Sequence, residues 1–168
     1  LIAHQPKALE KYRSMLKEKI QYFKVTQYFF FQQWKALKAY ANRKGIQIIG
    51  DMPIYVAADS VEVWTKPELF QLDAERNPRF VAGVPADQFS ATGQLWGNPL
   101  YDWAAHKKQH YAWWIHRIEE SFKIYDVLRI DHFKGFSDYW QVDGKADIAK
   151  YGTWQPGPGY DLFKAVKA

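Results

Sequence analysis

A chain of 168 residues holds one well-packed domain and little more. Its 23 basic against 18 acidic residues leave a net charge of +5, dispersed along the chain rather than gathered in a block, which argues against a nucleic-acid partner. A hydrophobic fraction of 48% excludes intrinsic disorder, the lack of an apolar stretch near ~20 residues argues against a membrane span, and zero cysteines exclude disulfides, thiolate zinc sites and cysteine nucleophiles.

Apolar residues at Leu9, Tyr12, Met15 and Leu16 predict a first helix over 7–19. A less regular stretch precedes a stronger helix over 27–44 (QYFFFQQWKALKAYANRK), with Phe30, Phe31, Trp34, Leu37 and Ala41 among its apolar positions and Gly45 as its stop. Ile46–Gly50 (IQIIG) reads as a short buried strand running into Asp51. From Asp51 to about Tyr101, prolines and glycines alternate with aromatics and neither period persists. An excursion of this length is far beyond the usual loop and marks a functional region. Tyr111, Trp114, Ile115, Ile118 and Phe122 then predict a helix over 105–122, and 125–130 (YDVLRI) a second strand ending at Asp131. A loop rich in aromatics and glycine extends to Gly159, and Asp161 begins a further helix. Two strands are too few for a self-sufficient α/β domain, so the pattern predicts a fragment of a larger α/β protein. Leu1 in place of an initiator methionine points the same way.

The two aspartates that end the strands are the most informative residues. Carboxyl ends of parallel strands open into a shared site, so Asp51 and Asp131 converge if their strands are neighbours. Arg129 lies two residues before Asp131, on the same face of its strand, and a guanidinium beside a carboxylate favours the ionised form a nucleophile needs. The same residues also suit a turn-capping aspartate with its ordinary ion-pair partner. Within 89–103 (FSATGQLWGNPLYDW), Gly93 and Gly97 flank Trp96 and the side-chain amides of Gln94 and Asn98. An indole face with two amides is a means of holding a sugar, or equally a tight connection whose Trp96 plugs the core. With eight tryptophans, eleven tyrosines and eleven phenylalanines, most tryptophans are expected to be structural. His106, His110 and His116 fit an amphipathic or solvated helix face, and no metal set is expected. Gly157-Pro158-Gly159 is a turn, and no phosphate loop or serine-nucleophile motif occurs.

The segments GDMPIYVAADSVEVW, VAGVPADQFSATGQLWGNPLYDW and VLRIDHFKGF closely resemble the amylomaltase, or 4-α-glucanotransferase (disproportionating enzyme), family, and the similarity extends over nearly the whole chain. The resemblance implies a fragment of a (β/α)₈ barrel of the α-amylase clan, about two barrel strands with flanking helices, in which 1–168 is part of one catalytic domain and about 51–104 lines the substrate cleft. It implies transfer of α-1,4-glucan segments between maltodextrins, starch or glycogen, with no cofactor and no metal. Asp131 matches the family's nucleophile and Arg129 its accompanying arginine. Asp51 matches a substrate-binding carboxylate, Trp96, Gln94 and Asn98 the acceptor-side loop, and Phe89 and Ser90 its mobile approach; His132 follows the nucleophile and is counted with the binding residues. Gln88 departs from the aromatic that many relatives carry there. The resemblance implies an acid/base on the strand after that of Asp131 and a third carboxylate later still, both beyond residue 168; Glu62, Glu68, Glu75, Glu119 and Glu120 follow no strand-like run and are poor substitutes. Two alternatives are a glucan-binding fragment without activity and a related α-glucan hydrolase. A cytoplasmic location is the default for a chain that opens without a signal peptide.

Overall fold

The computed structural model describes residues 1–167, which fall into two compact units. One comprises Leu1–Gly50 with Ser121–Leu128; the other comprises Asp51–Glu120 with the residues from 129 onward. Helices and strands alternate in a mixed α/β arrangement, with no closed barrel among the described residues. No described helix is long and apolar enough to cross a membrane.

The first unit is built on α1 (Pro6–Met15) and α2 (Lys17–Arg43). The irregular stretch expected before residue 27 is absent, and α2 runs unbroken through it. Ile20–Thr26 holds neither glycine nor proline, and the Thr26 hydroxyl finds its partner inside the helix by donating to the Tyr22 carbonyl at 2.7 Å. At the other end Gly45, at φ +75°, closes α2 with a pair of reversed bonds: its own amide donates to Asn42 and the Ile46 amide to Ala41. The Asp126 carboxylate gathers this unit. It accepts from the Ile48 amide (2.9 Å) and Asn42 Nδ2 (2.8 Å) and lies 3.4 Å from Lys38 Nζ. These contacts, the Ile48 amide foremost, hold its carboxyl below the usual carboxylate range. Trp34 Nε1 donates to the Ile124 carbonyl at 2.8 Å.

The second unit carries a four-stranded antiparallel sheet in the order β3-β2-β5-β6, made of β2 (Phe80–Val84), β3 (Gln94–Pro99), β5 (Asp138–Asp143) and β6 (Gly152–Pro156). The two stretches read from sequence as lacking regular structure, 51 to about 101 and the loop before Gly159, therefore hold four strands. The earlier stretch also holds α3 (Val61–Thr65), and α4 (Trp103–Lys108) follows it. The residues that looked like breakers sit where strands tolerate them. Pro99 and Pro156 end β3 and β6, and Gly83 adjoins a register shift between β2 and β3, where a Cβ would stand 2.5 Å from the Gln94 carbonyl oxygen. Val81, Val142 and Ala149 form the sheet's small core, against which Leu95, Trp140 and Ala146 pack.

An aromatic core lies beside the sheet. Tyr101, Trp114 and Phe136 are almost fully buried together with Leu69, Leu100 and Leu162. The helix expected over 105–122 is two, α4 and α5 (Ala112–Ile124), separated at His110 and Tyr111, both with positive φ. The Asp102 side chain caps α4 by accepting the Ala105 amide at 2.9 Å. His106 on α4 is fully buried rather than solvated; it is held inside by ring contacts with Tyr101, Trp103 and Trp113, whereas His110 and His116 stay exposed. Trp114 is wholly buried, while Trp64, Trp96 and Trp154 keep a third or more of their surface exposed. A last helix, α6, spans Tyr160–Lys167. The remaining strands, β1 (Ile49–Pro53) and β4 (Val127–Asp131), form a two-stranded sheet of their own.

Candidate active site

Alternation along β1 and β4 sets out the polar face. Burial follows a strict two-residue period in β1, turning Met52 inward and Asp51 outward, and in β4 it leaves Arg129 and Asp131 exposed on the same side. The three side chains meet. Arg129 Nη1 donates to Asp51 Oδ2, and Arg129 Nη2 donates to Asp131 Oδ1 at 3.0 Å. One planar guanidinium thus spans two carboxylates, a task its forked geometry suits better than a lysine ammonium. All three remain open to solvent, with more than half of each side chain exposed. A carboxylate tethered on one oxygen and open to solvent can still approach a ligand.

The residue after Asp131 turns the chain sharply. His132 adopts the left-handed conformation at φ 51°, uncommon for a non-glycine residue, and opens the short 3₁₀ turn Phe133–Phe136. Gly135 lines that turn so closely to Ile54 that a Cβ there would stand 2.8 Å from its side chain. The turn carries the imidazole edge-on to the Trp96 indole, with ring centroids 4.8 Å apart and planes at 90°. Tyr55 completes the group at 6.3 Å from Trp96 and 6.4 Å from His132. Partial burial pushes the His132 pKa down, with the Asp131 carboxylate opposing it, so the neutral ring is favoured near neutral pH. Its Nε2 is buried without a hydrogen-bond partner among the described residues.

The loop residues divide by what they touch. Trp96, a third exposed, donates its indole N–H to Gln94 Oε1 at 3.2 Å, leaving the aromatic face available. Asn98 donates Nδ2 to the Val56 carbonyl at 3.0 Å, which ties β3 to the segment after β1. Phe89 and Ser90 lie in a separate turn, shaped by Asp87 Oδ1 accepting both of their amides at 2.8 Å. Within it the Ser90 hydroxyl donates to the Gly93 carbonyl, and Phe89 stands almost fully exposed. Asp51, Arg129 and Asp131 therefore form one cluster, and His132 and Trp96, with Gln94 on the indole N–H, a second beside Asp131 in the chain, while Asn98 is tied to Val56 and Phe89 and Ser90 belong to the Asp87 turn. Sequence reading missed Tyr55, whose hydroxyl pKa is raised by burial, and Arg117, which reaches the end of β1 from α5. Tyr55 sits at the fourth position after Asp51 in a run of buried residues, a pattern that signals packing but not which rings it packs against.

Comparison with known proteins identifies the chain's relatives. A family model described as 4-alpha-glucanotransferase matches residues 1–168. A 4-alpha-glucanotransferase of Streptococcus pneumoniae is 58% identical over 165 residues, covering 98% of this chain and 33% of the relative. That of Thermus thermophilus is 48% identical over 163 residues, covering 97% of this chain and 33% of the relative. Among solved structures, the amylomaltase of Streptococcus agalactiae in complex with acarbose superposes with a TM-score of 0.97 at 60% identity, covering 99% of this chain and 34% of that one. The chain thus spans about a third of the length of the relatives it matches. On the match of the family model over its whole length, with these relatives beside it, the chain belongs to the 4-alpha-glucanotransferase family.

Proposed function

We propose that the protein to which this chain belongs transfers α-1,4-glucan segments between maltodextrins by retaining double displacement, on a (β/α)₈ barrel that residues outside this span complete. The reading rests on one observation, the single guanidinium that ties two outward-facing strand-end carboxylates together, with His132, next to one of them in the chain, edge-on to the Trp96 indole. An Asp131 oxygen attacks the anomeric carbon and the bond to the departing glucan oxygen breaks, that oxygen taking its proton from a carboxylic acid supplied outside this span. The 4-hydroxyl of a second glucan then attacks the same carbon and releases Asp131 as a carboxylate. Its proton returns to the carboxylate left by the first step, so the bond broken and the bond formed are of one kind. Arg129 holds Asp131 by one oxygen and leaves the other to react. Asp51 accepts from sugar hydroxyls. Trp96 offers its indole face to a pyranose ring, with His132 and Tyr55 fixing the indole edge, and Gln94, Asn98, Phe89 and Ser90 belong to the acceptor side.

Full-length protein incubated with maltotriose is expected to give glucose together with a ladder of longer and shorter maltodextrins. Glucose and maltose with no longer products would instead identify a hydrolase. In the same protein Trp96→Ala is expected to raise KM for maltotriose about tenfold, roughly 1.4 kcal/mol of lost stacking, with a smaller change in kcat. An unchanged KM would remove the indole from the binding surface.

A further inference from the structure

Carbonyls that leave a strand end inside a packed core lose their ladder partners and need other donors. At the end of β1 the carbonyl of Ile54, a residue 2% exposed, is such a group, and the carbonyl of Pro53, itself an exposed residue, stands beside it. Arg117, on α5, supplies both. Its Nη2 donates to the Pro53 carbonyl at 2.7 Å and its Nη1 to the Ile54 carbonyl at 3.0 Å. The Tyr101 hydroxyl donates to the same Ile54 oxygen at 2.7 Å, and Nη1 reaches that hydroxyl oxygen at 3.1 Å. The guanidinium lies against the Trp113 and Trp114 rings, 5.4 and 5.0 Å from their centroids, so it is held in place by packing as well as by hydrogen bonds. Two residues before Pro53 stands Asp51, and one residue after Ile54 stands Tyr55, which touches Trp96 and His132.

We infer that Arg117 is a positioning residue of the transferase site, which fixes the exit of β1 and through it both the Asp51 carboxylate and the Tyr55 ring. The inference rests on the reading of Asp51 and Asp131 as the reaction centre. It adds a residue 66 positions from Asp51 in sequence that touches no substrate and sets where two site residues stand. A lysine ammonium could reach one of the two carbonyls but not present the fork that meets both.

The test is a double-mutant cycle in the full-length protein, with kcat and KM for maltotriose disproportionation and the thermal midpoint as separate readouts. Arg117→Met is expected to lower kcat/KM about thirtyfold, since small misplacements of a positioned group carry penalties of this order. Arg117→Lys is expected to recover part of the loss, and Tyr101→Phe, which keeps the ring and removes one donor to Ile54, to lower kcat/KM about threefold. In an Asp51→Asn background, Arg117→Lys and Tyr101→Phe are expected to cost clearly less than in the wild type, because the carboxylate they help to place is gone and only the placing of Tyr55 remains. Should Arg117→Met fail to fold, these two milder variants carry the cycle. Losses that multiply fully in the Asp51→Asn background, or a lowered midpoint with kcat/KM unchanged, would reduce Arg117 to a structural tie. A wild-type protein that makes no longer maltodextrins would overturn the reading of the site itself; an active wild type with independent losses would overturn this inference alone.

Discussion

Asp131→Asn in the full-length protein is expected to lower maltotriose disproportionation about ten-thousandfold, a loss of the order seen when a catalytic nucleophile is removed. The thermal midpoint should move by less than about 4 °C. The first expectation follows from chemistry. The asparagine amide oxygen carries no full negative charge and is a far weaker nucleophile, and its attack would give a cationic imidate rather than the glycosyl ester through which double displacement passes. The second follows from position. Asp131 is 60% exposed on the open face of β4, and its partner Arg129 is equally exposed, so the ion pair contributes at most about 1 kcal/mol to folding. Asparagine keeps an oxygen that can accept from Arg129 Nη2. Asp51→Asn serves as the comparison. It also faces Arg129, and as a binding carboxylate its loss should be smaller by ten- to a hundredfold. Turnover within tenfold of wild type in Asp131→Asn would take the nucleophile's role away from this residue, and equal losses at the two positions would leave the assignment of roles between them unsupported.

The contrast between these aspartates and the rest of the site shows what local sequence carries. Asp51 and Asp131 were legible because each ends a short run of β-branched and aliphatic residues. Arg129 was legible because a strand's two-residue period places it beside Asp131. Their meeting depends on β1 and β4 being neighbours, a condition the sequence left open and the sheet order supplies. The strands β2, β3, β5 and β6 were hidden by their own punctuation. Proline and glycine read as breakers from sequence, whereas in the fold they mark strand ends and the register shift between β2 and β3. The facing of Trp140 and Trp154 across β5 and β6 is a property of pairing register, to which no local period corresponds. Arg117 was illegible for a similar reason: the two carbonyls it meets lie 63 and 64 residues away, and on α5 alone it looks like one more charge on the helix. The aromatics of α2 show the converse. Phe30, Phe31 and Leu37 helped to make the helix easy to recognise, yet each keeps about half its surface exposed, and α2 buries no residue completely.

His106 sets a separate expectation, for acid rather than for catalysis. It is fully buried, and burial pushes its pKa down to about 4, with the Leu69 carbonyl and the Asp102 carboxylate opposing the shift. Tyr101, Trp103 and Trp113 surround the ring with aromatic surface, and neither ring nitrogen has a hydrogen-bond partner of good geometry among the described residues. The folded protein therefore holds His106 neutral, while the unfolded chain binds a proton there below about pH 6.5. Between these values the unfolded state carries the extra proton, so this contribution is complete above pH 6.5 and is lost as pH falls towards 4. At about 1.4 kcal/mol per unit, the loss across that window is about 3 kcal/mol. Asp126, whose carboxyl is held low, acts in the same direction but only below the ordinary carboxylate range, so the two separate along the pH axis. His106→Leu fills a similar volume without a titrating group. In the full-length protein this variant is expected to match or exceed wild-type stability near pH 4 and to show a shallower fall in thermal midpoint from pH 6.5 to 4. Parallel curves for variant and wild type across that window would mean that the ring is already charged, or already solvated, in the folded protein.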